Sequence, residues 1–152
     1  MEARLDYYSI APDAFNIMVE FEKYSKSTNL ESSLLELVKI RASQINGCAF
    51  CIDMHTKDAR ANGENEQRIY CLDAWKETDF YTDRERAALS LTEAITQIST
   101  IPITDQLFNK VKVQFNEKDF VDLVYVINTI NSWNRLAITM RAVPGKYQPS
   151  AK

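Results

Sequence analysis

The chain has 152 residues, 45% of them hydrophobic and 26% charged, which suffices for one ordinary core and not two, so a single domain over 1–152 is expected. Its 18 basic and 21 acidic residues, net charge −3, are spread along the whole length, leaving no basic stripe to neutralise phosphates and arguing against a nucleic-acid partner. No stretch approaches the roughly 20 consecutive apolar residues of a bilayer span, and the start, Met1 to Asp6, lacks a basic-then-apolar signal, so no membrane partner and a cytoplasmic location are expected.

Apolar residues recur at three- and four-residue spacing, strict alternation is nowhere sustained, and only 3 glycines and 4 prolines interrupt the pattern, which together predict an all-α fold. Pro12 suits a first helical turn, and Phe15, Met18, Val19 and Tyr24 predict an amphipathic helix over 12–25. After a polar turn at 26–29, a second helix is expected over 30–45, with Leu34, Leu37, Val38, Arg41 and Ile45 near one stripe and Glu36 on its flank; Asn46 and Gly47 supply a left-handed stop. A third helix starts at about Cys48 and stops at Asn62 and Gly63. A fourth covers 64–76 with Ile69, Tyr70, Leu72 and Trp75 facing inward. Thr82 and Glu85 form a capping-box pattern ahead of a fifth helix over 83–99. Thr104 caps a sixth reaching Phe115, and Asn116 caps a long last helix over 117–141, bounded by Val143, Pro144 and Gly145; residues 142–152 read as an exposed tail.

Three cysteines without a secretory signal argue against a structural disulfide framework. Cys71, among apolar neighbours, reads as a core filler. Cys48 and Cys51 form a Cys-x-x-Cys pair, and His55, the only histidine, follows four residues later. On a helix Cys48 and His55 differ by about 20° in direction, and Cys51 lies about 60° from one and 40° from the other, so all three share a face. The free amides of a helix start favour thiolate, which makes one of the two thiols a nucleophile near neutral pH. The two-residue spacing lets a sulfenic acid on one sulfur be trapped by the other as a disulfide, the outline of a peroxidase cycle. His55 can shuttle the proton, tuned by a carboxylate from a neighbouring helix. Glu36, alone an ordinary solvated helix glutamate, is the candidate through its position twelve residues before Cys48. Two thiolates and an imidazole could also hold zinc, but only Cys71 or a carboxylate remains as fourth ligand, and neither metal nor cofactor is expected. Asn131, Trp133, Asn134 and Arg135, polar or aromatic residues in the last helix, read as structural, with Arg135 able to pair across a subunit interface.

Glu36, eleven intervening residues, Cys48-Ala49-Phe50-Cys51, three more and His55, followed by Ala59, Asn62 and Gly63, is a specific signature. It resembles the AhpD-like alkylhydroperoxidase group of the carboxymuconolactone decarboxylase family. The resemblance covers most of the chain after residue 30, with the core motif at about 30–100 and an ending like that of single-domain members at 131–135. It implies an AhpD-like all-α fold of six to seven helices around a helical hairpin, assembled as homodimers or homohexamers. By the same resemblance Cys51 meets the hydroperoxide, Cys48 resolves it, and Glu36 and His55 form the proton relay. An external dithiol, a lipoyl protein or a thioredoxin-like one, restores the pair. Two-domain relatives carry a histidine between the cysteines where this chain has Phe50, so the relay here is simpler. The family's lactone decarboxylases generally lack the thiol pair, which argues against decarboxylation. The expectation is a thiol-dependent peroxidase; the alternatives are a non-catalytic redox-responsive oligomer, a small zinc module, or a decarboxylase-like enzyme acting on another substrate.

Overall fold

The computed structural model describes residues 2–149, and every regular element among them is helical. The elements are α1 (Tyr7–Ile10), α2 (Pro12–Lys26), α3 (Ser32–Asn46), α4 (Ala49–Ala61), α5 (Glu66–Tyr70), a 3-10 helix (Leu72–Glu77), α6 (Asp83–Thr96), α7 (Asp105–Gln114) and α8 (Glu117–Met140). The all-α fold agrees with the sequence; the helix count is slightly above six to seven. One addition is α1, four residues with no buried side chain, too short to leave a periodic signal. The other comes from the predicted fourth helix, which divides at Cys71. Ile69, Leu72 and Trp75 are three residues apart, a spacing that a 3-10 turn brings onto one side, and all three enter a core cluster with Leu37, Ile40, Tyr81 and Leu89. The Trp75 indole N–H donates to Glu93 Oε1 at 2.8 Å. Tyr70, predicted inward, lies off that line and is 65% exposed.

Packing centres on α3, which contacts α4, α6 and α8. Leu34 to Ile40 are all buried, as are Ala42 and Ser43, so the helix is covered nearly all round where one apolar stripe was expected. Leu34, Leu35 and Val38 join α6, α7 and α8 in the main core cluster. Polar side chains on such a helix need partners. Lys39, 1% exposed, donates to Glu22 of α2 at 2.8 Å, and Arg41 donates to Glu93 of α6 at 2.9 and 3.0 Å.

The predicted caps form. Thr82 and Glu85 complete a capping box, and Thr104 and Asn116 accept from the Leu107 and Asp119 amides. The tail is otherwise than expected: 142–149 fold back over α4, with Val143, Pro144 and Tyr147 half-buried, while the remaining tail positions, 150–152, fall outside the described residues. At the other end the Arg4 N–H and guanidinium donate to the Met140 and Thr139 carbonyls, both at 2.9 Å, which brings α1 beside the end of α8. Among the described residues no helix is long and apolar enough to cross a membrane.

The turn from α3 to α4 places the thiols. Gly47 sits at φ 70°, its N–H donates to the Gln44 carbonyl, and the Cys48 N–H donates to the Ser43 carbonyl, which together make a Schellman motif. A Cβ on Gly47 would meet nothing within 4 Å, so substitution there costs backbone strain alone. Gly47→Ala should therefore lower unfolding free energy by about 1–2 kcal/mol, read from urea midpoints at constant slope; an unchanged midpoint would show that the left-handed turn carries no strain.

Candidate active site

Cys48 ends the Schellman turn and at once caps α4: its Sγ accepts from the Cys51 N–H at 3.4 Å. Both cysteines are free and 1% exposed. One turn further along α4, His55 is 4% exposed, and its Nδ1 lies 2.9 Å from Glu36 Oε2 on α3. The structure thus brings together Glu36, Cys48, Cys51 and His55 on one helical hairpin. Cys71 stands apart at the end of α5, half-buried and accepting from the Gln67 amide, so it is not the deep filler expected.

The two thiols form a charge-sharing pair. The hydrogen bond from Cys51 draws the Cys48 thiol down to about 7 from an ordinary 9.0, against burial, with the Cys51 and Phe50 amides and the Asn134 side chain helping. Cys51, the donor in that bond, is pushed up by it, by burial and by the Cys48 charge, with Asn134 opposing. Burial pushes Glu36 up, but the hydrogen bond and charge of His55, then the charges of Lys39 and Lys26, outweigh it, and the carboxyl rests below its usual range. An ionised Glu36 can only accept, so Nδ1–H of His55 donates to it and Nε2 is left free as a base.

Above the thiols lies a pocket of about 300 Å³. Cys51 and His55 line it, Cys48 does not, and half of the remaining lining residues are Tyr7, Tyr8, Phe15, Phe50, Met54 and Trp133. Phe15 bridges edge-on to Tyr8 and Trp133, with ring centroids at 4.7 and 5.9 Å. Such a wall suits an apolar or aromatic molecule with its reactive end at the sulfur.

In the sequence Asn134 reads as structural. Its side chain favours both thiolates, donates to Ser43 Oγ at 3.0 Å and accepts from Asn46 at 2.9 Å. Its signal was a polar residue in an apolar helix, but pairing it with the thiols needed the packing of α8 on α3. Trp133 lines the pocket. Asn131 does have the structural part expected, donating to Thr96 and accepting from Asn46, while Arg135 donates to Asn131 within its own helix. Tyr7 carries no signal in the sequence; burial, then its hydrogen bond to Tyr8, then the charges of Cys51 and Cys48, raise its phenol.

Among the described residues, Glu36, His55 and Asp58 bring possible metal-ligand atoms within 4.8 Å of one another. The thiols are not in that group, and the Glu36–His55 hydrogen bond already occupies two of its three members. An ion held there would have to break that hydrogen bond.

Residues 12–94, more than half of the chain, match the family model described as the carboxymuconolactone decarboxylase family. The chain belongs to that family, as an AhpD-like member. It is 54% identical over 140 residues to the uncharacterized protein YdfG of Bacillus subtilis, spanning 92% of this chain and 95% of that one. A solved Agrobacterium tumefaciens protein of unknown function, ATU0492, described as a candidate AhpD antioxidant-defence protein, shares 37% identity; the match has a TM-score of 0.92 and covers 96% of this chain and all of that one. The debrominase Bmp8, solved with 2,3,4-tribromopyrrole, shares the fold at 18% identity, with a TM-score of 0.81 over 91% of this chain and 74% of its own.

In a Cys71→Ser background, ultraviolet thiolate absorbance should rise with a midpoint near 7. Cys51→Ala removes the largest cause of that low value, so the midpoint should move up toward the ordinary 9.0 and leave less thiolate at neutral pH. Asn134→Ala should move it in the same direction by less. A midpoint unmoved in Cys51→Ala would sink the shared-proton pair.

Proposed function

We propose that the chain is a thiol-dependent peroxidase of the AhpD kind. The observation that carries this is the buried Glu36–His55 hydrogen bond beside Cys51, the thiol that lines an apolar pocket. Cys48 is the more readily ionised sulfur and Cys51 the one that borders the pocket, and the shared proton reconciles the two. His55 takes one proton from the pair; the proton that remains passes to Cys48 as the Cys51 sulfur attacks.

The Cys51 sulfur bonds to the terminal oxygen of the hydroperoxide as the O–O bond breaks. The departing alkoxide takes the proton from His55 and leaves as an alcohol, or as water from hydrogen peroxide. Cys51 is then a sulfenic acid. The Cys48 thiol gives its proton to His55 and its sulfur attacks Cys51; an S–S bond forms, and hydroxide leaves with that proton as water. One hydroperoxide and two thiols thus become an alcohol, a disulfide and water. An external dithiol, from a lipoyl or thioredoxin-like partner, returns the pair to thiols by exchange. Glu36 holds the His55 ring and steadies its positive charge between the two transfers.

Homodimers or homohexamers are proposed for the assembly, with exposed Phe108, Val121 and Tyr125 supplying an apolar face. A second reading keeps the thiol chemistry and changes the substrate: a pocket walled by Tyr7, Tyr8, Phe15, Phe50 and Trp133 suits a flat ring, and the debrominase Bmp8 carries the same fold.

Stopped-flow consumption of hydrogen peroxide and cumene hydroperoxide with a dithiol recycler distinguishes the two. Cys51→Ser should abolish turnover, and Cys48→Ser should leave a sulfenic acid that mass spectrometry finds over-oxidised. Glu36→Gln and His55→Gln should slow the peroxide step about 10²–10⁴-fold, the usual worth of a positioned acid–base pair. Undiminished turnover in Cys51→Ser refutes the proposal. Inert thiols toward both peroxides would favour the second reading.

A further inference from the structure

Beyond α8 the chain reverses and returns over α4 without helix or strand. The Gly145 N–H donates to Asp53 Oδ2 at 2.9 Å, Lys57 Nζ donates to the Tyr147 carbonyl at 3.0 Å, and Tyr147 Oη donates to Asp58 Oδ1 at 2.7 Å. The three anchors belong to the helix that carries Cys51 and His55. Tyr147 consequently borders two spaces at once: the apolar pocket of about 300 Å³ that holds Cys51, and a second cavity of about 630 Å³ bordered by Glu36, Lys39 and Asn62. Burial, the hydrogen bond to Asp58, and the charges of Asp58 and Glu36 push the phenol up to about 12, so it stays a donor across the neutral range.

The two spaces differ in chemistry. Rings and Met54 make up much of the first wall, whereas the second has Tyr147 as its one aromatic ring and sets Lys26, Glu36, Lys39 and Asp58 among small, polar and aliphatic residues; Tyr147 stands at their boundary with Asp58 and Lys26. A half-buried side chain on an irregular segment, fixed by contacts to one helix, can set what fits against a sulfur without taking part in its chemistry.

Taking Cys51 as the pocket's reactive thiol, as above, we propose that Tyr147 is a specificity-determining residue. Its ring partitions the apolar pocket from the charged cavity and restricts the molecules that reach Cys51 to those the smaller space can hold. Without the ring the two spaces join, and a bulky body can extend into the charged cavity while its reactive end rests at the sulfur.

Two alkylating reagents with the same reactive group and different bulk, iodoacetamide and iodoacetamidofluorescein, measure this without any peroxide. Rates of adduct formation on Cys51 are followed by tandem mass spectrometry in the reduced full-length protein. Tyr147→Ala should raise the bulky-to-small rate ratio by about tenfold. Tyr147→Phe retains the ring, held by the Gly145 and Tyr147 backbone anchors, and should stay within about threefold of the natural chain. A ratio within that same margin in Tyr147→Ala overturns the proposal. An equal rise in both variants also overturns it, because the hydroxyl's anchoring and not the ring's bulk would then control access. Cys51 inert to both reagents in every variant would instead refute Cys51 as the pocket's reactive thiol, and the inference about Tyr147 would fall with it.

Discussion

Burying α3 on nearly every side obliges its buried polar residues to find partners, several on neighbouring helices, and those partnerships hold the site together. Glu36 meets His55 of α4, Lys39 meets Glu22 of α2, Arg41 meets Glu93 of α6, and Ser43 and Asn46 meet Asn134 of α8. An unpaired charge in such a place is costly, and removing one member leaves the other stranded. The same contacts fix the azimuth of α3, and with it the side of the hairpin on which the carboxylate faces the imidazole.

The electrostatics divide the labour between two sulfurs. Cys48 receives amide dipoles at the start of α4 and the thiol of its neighbour, while Cys51 gives up that stabilisation and gains access to the pocket. Ready ionisation and a place on the pocket wall therefore fall to different atoms, linked by one hydrogen bond. The imidazole is held through Nδ1 by a carboxylate that burial alone would have neutralised, which leaves Nε2 as the nitrogen with no hydrogen.

Much of this was legible in the sequence because it depends on short spacings. The intervals 48, 51 and 55 are set by helical geometry, Gly47 marks the turn, and the caps at Thr82, Thr104 and Asn116 are local side-chain chemistry. Glu36 needed the family signature to single it out, since nothing local distinguishes it from a solvated helix glutamate. What escaped depends on distant packing. Asn134 reaches the thiols through the docking of α8, 91 positions from Ser43, and Tyr147 meets Asp58 across 89 positions. The break at Cys71 escaped for a related reason: the apolar residues fit an α-helix tolerably, and only the seat prepared for Trp75 by Leu37, Ile40 and Leu89 selects the tighter turn.

Cys48 occupies the last donor position of one helix and the first acceptor position of the next, through its N–H to Ser43 and its sulfur to the Cys51 amide. A disulfide between 48 and 51 would replace a thiolate acceptor by a neutral sulfur and leave that amide with a much weaker partner. The electron count of the pair is thereby transcribed into the backbone itself. The amide proton of Cys51 would then serve as an internal gauge, its magnetic resonance frequency and solvent exchange differing between the reduced chain and the oxidised one.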